Sequence, residues 1–224
     1  MRRTKLADRV LPTYTKGEEI FNMTSHIVGG GLGIIGMILC IIVSAKHHNV
    51  YGIVSSVIYG ISLVLLYTIS SIYHGLSPRL KGKKVLQILD HCSIYILIAG
   101  CYTPVVLCSI REVDSVSAWW IFGIVWFAAI LGITLNSIDL KSTRVFSMIC
   151  YILMGWCIIF KFNVLMQSVA TPGIILLVAG GIVYTLGTIF YGLGRKIEYL
   201  HSIFHLTILI GSILQFLCIL LYVL

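Results

Sequence analysis

Charge is scarce along this chain: 11% of its 224 residues are Asp, Glu, Lys or Arg, where soluble domains carry about a quarter. With 58% of residues hydrophobic, there is too little polar surface to clothe an ordinary soluble domain, and that class is excluded. Closely spaced cysteine pairs are missing too. Cys40, Cys92, Cys101, Cys108, Cys150, Cys157 and Cys218 all lie inside apolar runs without a Cys-x-x-Cys pair, which excludes a secreted disulfide framework and leaves small buried hydrophobes. Acidic residues number 8 against 16 Lys and Arg, a net charge of +8. The basic residues are spread over short connections rather than clustered on one element, so nucleic acid is excluded as a partner. No internal repeat is found. Arg2, Arg3, Lys5, Arg9 and Lys16 precede an apolar run too long for a signal peptide and without a small-residue cleavage site, so that run is expected to stay in the mature protein.

What the chain does have is apolar runs of spanning length. They cover residues 23–45, 50–73, 85–108, 118–136, 145–165, 173–191 and 201–224, each near the ~20 residues that cross a hydrocarbon core of roughly 30 Å. The expected fold is therefore all-α: a seven-transmembrane-helix bundle over residues 23–224, behind a short cytoplasmic segment over residues 1–22. Connections such as Lys46-His47-His48-Asn49 and the stretch 77–84 are short, which makes consecutive helices antiparallel neighbours. Counting Lys and Arg gives 13 on the side of the N-terminus and 3 (Lys46, Arg111, Lys161) on the other. The positive-inside rule then predicts a cytoplasmic N-terminus and an external C-terminus.

Gly29 and Gly33 have the small-x-x-x-small spacing that lets helix backbones approach in lipid, and Gly180, Gly181 and Gly187 serve the sixth span in the same way. A phosphate loop is the weaker reading. Pro104 falls inside the third run and predicts a kink there, with freed carbonyls for a neighbour to satisfy.

Ionisable side chains inside spans are costly and usually functional. Glu19, Asn22 and His26 enter with the first span at steps of three and four residues, hence on one face. Ser70 and His74 share a face at the inner end of the second. Asp90 and His91 begin the third, and His201 and His205 begin the seventh. Four helix ends thus bring these groups to one depth, although His26 and His205 stand 179 positions apart, whereas His47 and His48 fall in an outer loop. Alone, His201 and His205 read equally well as interfacial histidines bonded to neighbouring helices. Together with His74 they offer three imidazoles for zinc and leave a fourth tetrahedral position for water, as catalytic sites do. Asp90 would orient or deprotonate that water and Ser70 would donate to a developing oxyanion. Glu19, Asn22 and His26 either support the ligands from behind or hydrogen-bond the bundle near the interface. His91 points about 100° away from Asp90 and reads as a packing or hydrogen-bonding residue.

The segments Gly17-Glu18-Glu19-Ile20-Phe21-Asn22 with Ser25-His26, Ser70-Ser71-Ile72-Tyr73-His74, Leu89-Asp90-His91-Cys92-Ser93-Ile94-Tyr95, Tyr102-Thr103-Pro104, Gly180-Gly181, and His201-Ser202-Ile203-Phe204-His205 resemble the hemolysin III family. That family is the bacterial branch of the progestin and adipoQ receptor superfamily, which includes the adiponectin receptors. The resemblance implies a seven-helix bundle with zinc on His74, His201 and His205, and Asp90 on a zinc-bound water. Alkaline ceramidases look like more distant relatives, which extends the implication to hydrolysis of a lipid amide or ester in a bacterial cell membrane. Phe204 and Gln215 depart from the family's usual Trp and His. Three functions stay open: a zinc-dependent lipid hydrolase, a receptor-like sensor or regulator of membrane lipids in which zinc staples helices, and a cytolytic pore-former. The last has least support, because the spans lack a charged pore lining.

Overall fold

Three of the six long helices begin where a side chain supplies an acceptor for the free N–H groups of the first turn. Thr15 opens α1 (Lys16–Lys46): its hydroxyl accepts from Glu18 N–H while the Glu18 carboxylate accepts from Thr15 N–H, a reciprocal capping box. Asn49 accepts from Gly52 N–H to open α2 (Val50–Gly75). The computed structural model describes residues 4–194 and 197–224, so four of the basic residues counted above (Arg2, Arg3, Arg195 and Lys196) lie outside the described residues. Among the described residues six helices are long and apolar enough to cross a membrane and none of the chain is strand. This is a multi-pass, all-helical membrane protein.

Pro104 closes α3 (Lys81–Pro104), and the next six residues, Val105–Ile110, form a π-helical turn before the short α4 (Arg111–Val113). A π turn holds one extra residue, which absorbs the missing N–H and the ring's crowding of the preceding turn, so the helical path continues. At Pro104, where the sequence predicts a kink, the structure has this π turn.

Asp114 caps α5 (Ser115–Trp156) by accepting from Ser117 N–H at 2.9 Å. A 3-10 turn, Cys157–Lys161, and α6 (Phe162–Ser168) follow, and the whole stretch of 54 residues is one apolar segment. A straight helix of that length would reach ~80 Å. Instead the backbone leaves helical geometry at Asp139 (φ −155, ψ 90). The Asn136 amide oxygen accepts from Thr143 at 2.8 Å and from Ser147 at 2.6 Å. Residues eleven apart on a continuous helix would stand ~16 Å apart, so the chain reverses here. The apolar runs 118–136 and 145–165 are the two arms of this hairpin. α7 (Thr171–Leu193) and α8 (Leu200–Tyr222) complete the bundle.

Large aliphatic and aromatic residues such as Ile35, Trp120, Phe127 and Ile175 face outward, while serines, tyrosines and glycines share the interior with aliphatic residues such as Leu63, Val106 and Ile219. Small residues set the helix spacing. A Cβ on Gly29 would meet the Tyr67 ring at 2.6 Å and one on Gly33 would meet Leu63 at 3.3 Å, whereas Gly31 has nothing within 4 Å. All seven cysteines are free. The Leu224 carbonyl accepts from His47 at the α1–α2 turn, while Thr4 bonds Asp139 and Arg9 bonds Gln87 at the other end of the bundle.

Candidate metal centre

The centre depends on how α1 and α8 are joined at their N-terminal ends. Glu18 is buried, and its second carboxylate oxygen accepts the Tyr199 N–H at 2.8 Å. Tyr199 stands in the left-handed region at φ 62, a conformation that costs a non-glycine residue free energy and persists where neighbours hold it. This bond sets the first turn of α8 beside α1, and with it His201 and His205, 5% and 1% exposed.

His74, 2% exposed in the last turn of α2, faces that pair. One nitrogen from each of His74, His201 and His205 lies within 4.8 Å of the others, and the group can hold a metal ion. The Nε2 atoms of His201 and His205 are 3.1 Å apart, close to the ~3.3 Å that bonds of 2.0 to 2.1 Å at a tetrahedral ion would set. His74 Nδ1 donates to Glu19 Oε2 at 2.6 Å, so that its lone pair resides on Nε2. That Nε2 is buried and has no hydrogen-bond partner among the described residues. His205 Nδ1 pairs with His26 Nε2 at 2.7 Å. An orphaned imidazole lone pair, two more imidazoles beside it and a hydrogen-bonded far nitrogen on two of the three fit a divalent ion that takes nitrogen ligands.

The other sequence-predicted residues surround this group. Glu19 is half-buried and engaged at both oxygens, to His74 and to Lys83. Asn22 is fully buried, with neither amide atom partnered among the described residues. Ser70 lies one turn before His74 with its hydroxyl buried and likewise unpartnered. Asp90 is half-buried on α3, outside the three-donor group, with its carboxylate 3.7 Å from His91 Nδ1. His91 donates from Nδ1 to the Gln87 carbonyl and bonds the Tyr191 hydroxyl through Nε2, both at 2.8 Å. With both nitrogens engaged, it has no lone pair for a metal. His47 and His48 lie exposed at the opposite end.

The Haemolysin-III related family model matches residues 14–216. The chain belongs to that family. It is 40% identical to Hemolysin-3 of Bacillus cereus over 207 residues, 92% of each protein. It is 37% identical to a Hemolysin-3 homolog of Bacillus subtilis (strain 168) over 209 residues, covering 93% of this chain and 96% of the relative. The human Monocyte to macrophage differentiation factor is a more distant relative, 28% identical over 159 residues, 66% of this chain and 62% of that protein.

In this haemolysin-III related chain, two residues near the centre, Tyr14 and Lys83, escaped the sequence reading. Tyr14 stacks on His201 with ring centroids 4.6 Å apart and planes 16° apart. Burial, reinforced by Tyr73, Tyr191, Asp90 and Glu19, holds its phenol well above the ordinary range, so it remains a neutral hydroxyl. Nothing in the sequence marks it, since it precedes the helix cap as an ordinary loop residue. Lys83 falls in a basic connection in the sequence, yet it is 2% exposed. Tyr191 reaches His91 and lies 6.1 Å from His201, centroid to centroid. Alongside, a mainly apolar cavity of about 150 Å³ runs between α3, the second arm of the hairpin, α7 and α8, with His91, Tyr191 and Phe204 at its metal-centre end and Ile98, Leu177 and Tyr184 further along.

Proposed function

We propose that this chain is a zinc-dependent hydrolase of a lipid amide or ester in the bacterial plasma membrane. It crosses the bilayer seven times, the hairpin at Asp139 counting as two crossings, with the N-terminus cytoplasmic and the C-terminus outside. The observation that carries the reading is the convergence of three buried imidazole donors beside an apolar cavity. His74, His201 and His205 would hold zinc, with Glu19 and His26 orienting two of the rings and Asn22 supplying a buried amide next to them. Zinc, when bound, would polarise a carbonyl and bring a coordinated water to a pKa of about 7. Asp90 takes the proton from the attacking water, and the Ser70 hydroxyl, without a partner among the described residues, donates to the oxygen that gains charge. The cavity takes the acyl chain, so the substrate enters from the lipid.

A second reading is a sensor or regulator of membrane lipid state with structural zinc. It is favoured by the ties around the centre, because His26, His74, Lys83 and His205 link α1, α2, α3 and α8 through a few short contacts. The name of the Bacillus cereus Hemolysin-3 points to lysis of cells, a third reading, to which the buried histidine group adds nothing. Metal analysis of purified protein tests the first two together: about one zinc per chain is expected, with each single His→Ala change at 74, 201 or 205 largely emptying the site. Full zinc occupancy in His201→Ala and His205→Ala would remove that pair from the ligand set. Lipid profiles of cells with and without the protein then identify the substrate, and identical profiles would leave the sensor ahead.

A further inference from the structure

The connection between α2 and α3 carries Lys81, Lys83 and Lys84, and their fates differ. Lys81 is exposed and Lys84 donates to the Ala7 carbonyl, but Lys83 is buried. Its position is electrostatically poor: Leu80 is the N-cap of α3, so Lys83 is the third residue of the helix and sits at the positive end of its dipole. Burying its stem and ammonium also costs rotamer freedom and hydration. An exposed lysine would serve orientation in the membrane equally well. What offsets these costs is a specific set of partners. Nζ lies 2.5 Å from Glu19 Oε1 and 2.8 Å from the Leu76 carbonyl, and 5.2 Å from the centre of the Tyr73 ring. The other oxygen of the same carboxylate accepts from His74 Nδ1 at 2.6 Å.

We propose that Lys83 is a positioning residue for the metal centre, fixing Glu19 at one oxygen so that the other holds the His74 ring with Nε2 toward the ion. The inference rests on the zinc reading above. Without the ammonium, Glu19 is free to rotate about its last bonds, the His74 ring loses its fixed orientation, and the three nitrogens no longer converge. The same grip keeps Glu19 out of the ligand set, since neither of its oxygens is spare. Lys83 also bonds the carbonyl two residues beyond His74, so the end of α2 and the start of α3 are fixed to one group.

The test compares zinc affinity, by competition with a chelator, in wild type, Lys83→Met, Glu19→Gln, the double variant, and Lys84→Met, which removes one positive charge without touching Glu19. Loss of a group behind a ligand typically lowers metal affinity ~10- to 100-fold. Lys83→Met is expected to fall at least tenfold, the double variant to bind no more weakly than Glu19→Gln, and Lys84→Met to match wild type. Cobalt(II)-loaded protein gives a readout that a loop staple would not move: its visible bands should shift in Lys83→Met. Should that variant fail to fold, Lys83→Gln, which keeps a polar side chain but removes the ammonium charge, carries the same measurements. Unchanged affinity and an unchanged cobalt spectrum, with only a lower melting temperature, would overturn the inference while leaving the zinc reading intact. Wild-type protein that takes up no zinc would overturn both.

Discussion

Asp90 stands outside the three-donor histidine group with a half-buried carboxylate, so its replacement separates hydrolysis from stapling without removing a ligand. Asp90→Asn is nearly isosteric and should keep zinc and helix packing, while hydrolysis of the lipid substrate falls ~100- to 10,000-fold with loss of the base. If zinc is a staple, the same variant keeps the biological readout near wild type, and His74→Ala lowers the melting temperature. An Asp90→Asn protein with zinc and full hydrolytic activity would end the mechanism drawn here. The histidines were legible in the sequence because their residue type, their spacing and the ends of the apolar runs together set their depth. What could not be read were contacts created by tertiary approach. Lys83 looks like its solvated neighbours until Glu19 faces it, and Tyr14 gains its place only when α8 brings His201 beneath its ring.

At the scale of helices, the close approach of α1 and α2 rests on which glycine faces inward. Gly29→Ala puts a methyl into the Tyr67 ring at 2.6 Å, and that ring meets His26 edge-on at 5.0 Å, so the strain passes to the partner of His205. Overpacking of this kind costs about 1–3 kcal/mol. Gly31→Ala meets nothing within 4 Å and should be neutral or stabilise by up to ~1 kcal/mol through helix propensity. Thermal melts in detergent check the pair, and a Gly29→Ala protein as stable as Gly31→Ala would refute close packing at this seam. The apolar runs revealed where helices lie but not where they end. α1 starts at Lys16, ahead of the apolar run from residue 23, because the capping box recruits Lys16, Gly17, Glu18 and Glu19 into the first turn. The π turn after Pro104 depends on how the chain relieves a lost donor, which composition does not specify. The reversal at Asp139 lay between two separate runs and was legible as a gap, while the hydrogen bonds to Asn136 that close it were not.

Across the whole molecule the two ends of the bundle differ in chemistry. The end that holds the histidine group also holds Lys84, Arg9 and the reversal at Asp139, whereas the other brings together His47, Leu224 and the stacked pair Tyr51 and Arg111. Thr4 and Leu224 lie at opposite ends of the bundle, the arrangement that the proposed odd number of crossings would give. On the seven-crossing reading Lys and Arg divide 13 to 3 between the two sides, and the positive-inside rule predicts the richer side in the cytoplasm. Burial of Lys83 removes one of the 13 from the water-facing count without altering the balance. Reporter fusions are therefore expected to signal the cytoplasm when placed in the 79–84 connection and the exterior when placed after Leu224. A cytoplasmic signal after Leu224 together with a cytoplasmic 79–84 connection would mean an even number of crossings, and the hairpin at Asp139 would then not traverse the bilayer. Both signals reversed would keep seven crossings but move the metal centre to the outer face, where Asp90 and Tyr14 would meet the external medium instead of the cytosol.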